Sequence, residues 1–197
     1  KMLELLCEMA KEKGMSAEEL LSEEAEKVPA GSDGLMTVLD WLAPVDARYK
    51  KGIMIGFDGR HTRGHIYRSI LEAVAMTIKG HTEDMVNEVG VTLDKIIITG
   101  GGSNSDLFMQ IFADVFNLPA VRNVVNGAAG LGSAICAAVA TGVYGSFEEA
   151  VEGMVKIPDT FVPNPENVEL YQKMIPIYKD ITVHTDEVLK KTYELFE

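Results

Sequence analysis

One stretch constrains this chain more than any other: Ile96-Ile97-Ile98-Thr99-Gly100-Gly101-Gly102-Ser103-Asn104-Ser105. Its run of β-branched residues predicts a strand buried on both faces. Three glycines interrupt it, and the apolar spacing from Asp106 to Phe116 predicts a helix immediately afterwards. A ligand can touch the backbone of such a turn, because no Cβ stands in the way. Unpaired N–H groups at the turn and the helix start, together with the helix dipole, favour an anion such as phosphate. The same glycines also suit a tight strand-to-helix connection with no ligand, and the pattern alone leaves both readings open. A Walker A loop is excluded, since no Gly-Lys-Ser/Thr follows. Gly-x-Gly-x-x-Gly is out of phase, because position 105 is Ser.

The remainder of the chain reads as α/β. Residues 2–13 carry Met2, Leu3, Leu5, Leu6, Met9 and Ala10 at helical spacing, and Ser16 with Glu19 forms a capping box for a helix to about Lys27. Residues 35–39 predict a short strand. Residues 43–61 hold Pro44, Gly52, Gly56 and Gly59, which break every period, so a solvated or ligand-facing loop is expected there. That segment is also a local basic island, with Arg48, Lys50, Lys51, Arg60 and Arg63 against Asp46 and Asp58. Thr62 or His61 caps a long helix that closes at Gly90. After the glycine turn and its helix, residues 120–125 suit another strand. Residues 127–140 form a helix of small residues, whose glycines predict close packing or ligand approach. Ser146 with Glu149 makes a second capping box. Asn164 and Pro165 open a last helix, which Pro176 should kink or split.

Composition narrows the function classes. With 18 basic and 30 acidic residues among 197, the formal charge is −12, which argues against nucleic acid or an anionic membrane surface as partner. A small anion held by local backbone amides remains compatible with that charge. The chain is 47% apolar and 24% charged, as in a folded soluble protein, and no apolar run reaches the roughly 20 residues of a membrane span. Cys7 and Cys136 stand far apart and read as buried reduced thiols of a cytoplasmic protein. The ten methionines read as core filling. His61 and His65 have metal-ligand spacing but lack a third ligand nearby, so packed or solvated imidazoles are expected. Asp94, Asp106 and Asp114 read as helix-flanking charges. Asp58 and Arg60 are the candidates for cleft-facing side chains.

Several separated motifs, in order, resemble the C-terminal domain of the FGGY carbohydrate kinases. They are HTRGHIYRSILEAVAMTI (61–78), ITGGGSNSDLFMQIFADVFNLPAV (97–121), GLGSAICAAVATGVYGSFEEAV (130–151) and PNPENVELYQKMIPIY (163–178). The resemblance covers roughly residues 30–180 and is closest to xylulose kinases. It implies an actin-like, ribonuclease-H-like α/β fold, of which this would be the C-terminal portion with a helical tail. The implied division is a helical lead-in at 1–34, an α/β core at 35–155 and a helical tail at 156–197, together one nucleotide-binding domain. The resemblance also implies ATP and Mg²⁺ as cofactors, the metal not being held by this chain. The nucleotide site would comprise Gly100, Gly101, Gly102, Ser103 and Ser105, with Gly130 and Gly132 on its other side.

By the same resemblance, the catalytic Asp and the sugar-binding domain precede the region seen here. The chain then reads as the later portion of a longer kinase, inactive alone and without a catalytic residue of its own. Its partners would be ATP or ADP and a sugar or polyol, with a homo-oligomer left open. The chain departs from the family pattern twice. Trp41-Leu42-Ala43-Pro44-Val45 replaces the usual Gly-Glu-Arg-Thr-Pro segment near the cleft, and Gly127 replaces an acidic residue. The first departure leaves the sugar unspecified. A different class, a non-catalytic actin-like module that binds a nucleotide or a partner protein, also fits the sequence.

Overall fold

Helix ends are where this sequence acts most locally. The computed structural model describes residues 2–125 and 127–196, and the predicted roles of the Met2 and Leu3 side chains lie outside the described residues. Helix α1 (Met2–Glu12) leads to α2 (Ala17–Ala25). The capping box of α2 is complete: Ser16 Oγ accepts from the Glu19 N–H at 3.1 Å, and Glu19 returns a carboxylate to the Ser16 N–H at 2.7 Å. This helix ends at Ala25, two residues before the expected stop. Strands β1 (Met36–Val38) and β2 (Ile53–Ile55) pair antiparallel, with Thr37 opposite Met54. The 27-residue α3 (Arg63–Val89) starts at Thr62, whose N–H donates to His65 Nδ1, and closes on Gly90 at φ +73°.

Strand β3 (Ile96–Ile98), α4 (Asp106–Phe116) and β4 (Ala120–Arg122) form a parallel crossover unit, with Ile97 opposite Val121. Helices α5 (Ala128–Ala140) and α6 (Phe147–Met154) follow. Strand β5 (Asp159–Phe161) then returns antiparallel to β4, and α7 (Pro165–Phe196) completes the chain. The core lies between α3, α4 and α7, with Leu71, Met76, Ile111, Phe112, Met174 and Ile175 among its members. Among the described residues, no helix is long and apolar enough to cross a membrane.

A buried polar knot ties the first half of the chain to the last helix. Glu72 on α3, only 1% exposed, accepts from Arg68 Nε at 2.9 Å, Tyr171 Oη at 2.8 Å, the Gly31 N–H at 2.8 Å and Ser32 Oγ at 2.9 Å. Arg68 also donates to the carbonyls of Val28 and Ala25, just past α2. Burial pushes the Tyr171 hydroxyl well above its ordinary pKa, and the neighbouring Glu72 charge adds to this, so it stays a donor. The knot holds a turn in which Gly31, Ser32, Asp33 and Gly34 are all left-handed, a conformation that costs ordinary residues about 1–2 kcal/mol each.

The structure corrects several expectations. The supposed loop at 43–61 contains β2, hidden in sequence because glycines flank a strand of three residues. Gly56 has φ +98°, and a Cβ there would stand 2.4 Å from the Gly34 carbonyl oxygen. The helical tail is present as α7, and the stretch before it, within the expected span of 156–197, contains β5. Strand β3 is covered on one face only: Ile96 and Ile98 pack on the core, while Ile97 is 61% exposed. The strand predicted for 120–125 stops at Arg122. Helix α7 runs unbroken through Pro176, which sits with Gln172 on the solvent side, where water can reach the carbonyl that loses its partner.

The second capping box is displaced by one residue, since Glu149 accepts from the Gly145 N–H rather than from Ser146. Cys7 and Cys136 are exposed, because neither the outer side of α1 nor that of α5 is covered. Helix α5 buries only Ile135, and a Cβ at Gly130 or Gly132 would meet nothing within 4 Å. Close packing within this chain therefore does not account for those glycines. Asp114 is buried inside α4 instead of flanking it. It joins α4 to the start of α7 by accepting from Gln110 Nε2, the Asn164 N–H and Asn167 Nδ2.

Candidate functional site

The glycine turn leaves β3 through a conformation open almost solely to glycine. Gly100 has φ +88° and ψ −175°. Gly101 through Asn104 then form one 3₁₀ turn, and Ser105 caps α4 by accepting from the Phe108 N–H at 3.3 Å. The three glycines face different surroundings. A Cβ on Gly101 would enter open space, whereas one on Gly102 would stand 2.8 Å from the Phe108 ring. Ser103 is fully buried and braces the turn from behind, its Oγ donating to the Gly100 carbonyl at 2.7 Å.

The turn opens on a cleft of about 890 Å³. Gly101, Gly102, Asn104 and Ser105 line one side of it, with Asp106 and Phe108 at the start of α4. Tyr67 and Leu71 of α3 form the floor, and residues 14–26 along α2 form the opposite wall. Ser105 Oγ and Ser22 Oγ approach to 3.5 Å across the cleft. The α2 wall is acidic, with Glu18, Glu19, Glu23 and Glu26 along it. Hydrogen bonds from the Ser16 backbone, then from its side chain, hold Glu19 below the ordinary carboxylate range, so it stays charged. The cleft thus has an amide-rich side suited to an anion and a carboxylate side that repels one.

The structure brings Gly101, Gly102 and Ser105 onto this cleft, with Gly100 and Ser103 shaping the turn from behind. Gly130 and Gly132 lie bare on α5 and do not line it. Asp58 and Arg60 also lie elsewhere, paired with each other at 2.7 Å on an exposed loop. The hydrogen bonds from Arg60 hold the Asp58 carboxyl down at about 2. His61 is packed rather than ligating. Its Nδ1 accepts from the Asp58 N–H and its ring lies edge-on to Phe57 and His65, which leaves the buried Nε2 without a hydrogen-bond partner. His65 turns its Nε2 to Asp33 at 3.2 Å.

Sequence reasoning missed Arg122. From β4 it donates to the Ser103 carbonyl at 3.0 Å, pairs with Asp106 at 2.8 Å and Asp159 at 2.7 Å, and lies over the Phe161 ring. It therefore fastens the back of the glycine turn to the sheet. A charged residue ending an apolar strand was the available signal. Because Asp106 and Asp159 are partly solvated, their pairs with Arg122 contribute little, and the carbonyl left unpaired dominates. Arg122→Ala should cost about 1–2 kcal/mol in urea denaturation. Arg122→Lys should restore only part of that, because an ammonium cannot span three acceptors in a plane. Equal stability of both variants and the wild type would remove Arg122 from this role.

Comparison with known proteins follows the same outline. The model for the C-terminal domain of the FGGY family of carbohydrate kinases matches residues 4–141. A protein described as uncharacterized sugar kinase YgcE of Escherichia coli K12 is 53% identical over 193 residues, covering 98% of this chain and 39% of that protein. Xylulose kinase of Bacillus subtilis 168 is 30% identical over 173 residues, covering 86% of this chain and 34% of the enzyme. In three dimensions, the crystal structure of xylulose kinase from Rhodospirillum rubrum superimposes with a TM-score of 0.77 at 26% identity, covering 95% of this chain and 38% of that one. The chain spans about two fifths of the length of these relatives or less.

Proposed function

The chain belongs to the FGGY family of carbohydrate kinases, with their actin-like α/β fold, and we propose that it is the nucleotide-binding domain of a cytoplasmic, ATP-dependent kinase for a sugar or polyol. The observation that carries this reading is the cleft itself: a glycine turn at a helix N-terminus, with Gly101 bare on the side facing 890 Å³ of open space. The nucleotide phosphates face the Gly100–Gly102 amides. The base lies toward α2, whose carboxylates accept from an exocyclic amine or a ribose hydroxyl and repel phosphate. Ser105 stands between the two ends, and Ser103 keeps the turn in shape. Gly130 and Gly132, outside this cleft, leave a second bare backbone surface on α5 for any part of the nucleotide that extends beyond it.

Phosphoryl transfer also requires an acceptor site, a base and charge neutralisation, and we place these in the part of the longer protein that precedes this domain. Among the described residues, no three His, Cys, Asp or Glu side chains stand together as a metal site. Mg²⁺ on a nucleotide would take one or two carboxylates beside water and phosphate oxygens, and we assign those carboxylates to the preceding part of the longer protein. The test uses the full-length protein. Calorimetry should show one site for ADP and for ATP. A coupled ADP-release assay over pentuloses, hexuloses, polyols and aldonates should single out one acceptor class. Absence of nucleotide binding in the full-length protein would overturn the reading.

A further inference from the structure

The loop between β1 and β2 carries large apolar side chains in full view of solvent: Leu42 is 94% exposed, Val45 85% and Trp41 56%. It is nonetheless held in place. Trp41 lies directly on the backbone of Gly52, where a Cβ would stand 1.7 Å from the indole Cδ1, so only glycine permits this contact. From the far end of the chain, Asp186 of α7 accepts from Tyr49 Oη at 3.0 Å. The Lys190 ammonium lies 4.7 Å from the centre of the Tyr49 ring, and Lys51 lies 5.6 Å from that of Tyr193.

Asp186, Lys190 and Tyr193 recur at i, i+4 and i+7, which puts them on one face of α7. The buried stripe of α7 ends at Ile181. Beyond it, the helix runs four more turns whose half-covered residues include Asp186 and Tyr193. A rigid support beneath an apolar tip suits a tip that is seated against something else. Asp46 and Arg48 beside the tip are both exposed and offset each other, so the matching surface is mainly apolar. This chain spans 39% of one relative and 34% of another, and the part of their length that lies outside it supplies that surface within the same protein.

We propose that the last turns of α7 brace the β1–β2 loop and that Trp41, Leu42 and Val45 seat against the sugar-binding half of the longer protein. The inference rests on the kinase reading and extends it. The brace sets how the two halves meet, and so governs acceptor binding without touching the acceptor. Tyr49, Asp186 and Lys190 are positioning residues, and the tip is the contact.

The test is limited proteolysis of the full-length protein, read by mass and combined with kinetics. Tyr49→Phe removes one hydroxyl and keeps the ring. It should speed tryptic cleavage after Arg48, Lys50 and Lys51 about fivefold, and Asp186→Ala should do the same. Unchanged cleavage in both variants would overturn the brace. Chymotrypsin should cut slowly after Trp41 in the wild type and at least about tenfold faster in Leu42→Asp, whose charge undocks the tip. Equal and rapid cutting in both would overturn the docking. Protection that fades on dilution would also overturn it, in favour of a second copy of the chain.

In activity assays, Leu42→Asp should raise KM for the acceptor about tenfold and leave KM for ATP within about twofold. A parallel rise in both would overturn the assignment to the acceptor side. If the wild type phosphorylates no acceptor, the kinase reading falls. The two proteolysis results still decide the brace and the docking.

Discussion

Replacing Glu72 with Ala is expected to lower folding stability by about 3–5 kcal/mol, the usual result of removing one partner from a buried ion pair. For a chain of this size that corresponds to a thermal midpoint roughly 10 °C lower. Glu72 is 1% exposed and is the shared acceptor for Arg68, Tyr171, Gly31 and Ser32. Without it the Arg68 guanidinium keeps the carbonyls of Ala25 and Val28, but its charge stays buried without a counter-charge. The left-handed turn at Gly31–Gly34 loses the two bonds that hold it closed at Gly31 and Ser32. Glu72→Gln should fall between wild type and Ala, because it keeps one acceptor oxygen and loses the charge. Circular dichroism melting of the three proteins checks the order. A loss below about 1 kcal/mol for Glu72→Ala would mean that water reaches Arg68 and that the knot is not dry.

What the sequence disclosed and what it hid divide along the range of the interactions involved. Ser16, Thr62 and Gly90 act within one helical turn, and each helix end they imply is found where the residues put it. The glycine turn was legible for the same reason, since strand, turn and helix are contiguous. Strands β2 and β5 were not, because Gly52 and Gly56 around the one and Pro158 and Pro163 around the other read as loop chemistry. Their existence depends on partners such as Val38 for Ile53 and Arg122 for Asp159. The α2 wall of the cleft was equally hidden. Ser22 meets Ser105 only because α2 packs on α3, and α3 on α4. Burial was misjudged where apolar sequence lies on a surface that this chain leaves open, as at Ile97, Cys136 and most of α5. Local patterning reports that a residue avoids water, and it does not report which neighbour supplies the cover.

Gly101→Asp is expected to abolish nucleotide binding while leaving the fold intact, and the geometry of the turn makes this substitution more informative than its neighbours. Gly100 occupies a backbone region essentially reserved for glycine, so Gly100→Ala strains the turn whatever it binds. Gly102→Ala drives a methyl against the Phe108 ring. Of the three, Gly101 alone combines a backbone free of positive φ with a place on the cleft lining and a Cβ position that meets nothing within 4 Å. A loss of affinity there reports on the ligand and not on the scaffold. A carboxylate about 4 Å from a phosphate charge costs about 4 kcal/mol at an effective dielectric constant of about 20, close to a thousandfold in affinity. Gly101→Ala adds bulk without charge and should weaken ADP far less. Both variants should melt within about 2 °C of the wild type, as substitutions in open space do. Calorimetric titration of ADP into the three full-length proteins measures the difference. An unchanged affinity in Gly101→Asp would separate the turn from the nucleotide and leave the glycines as a connection between β3 and α4.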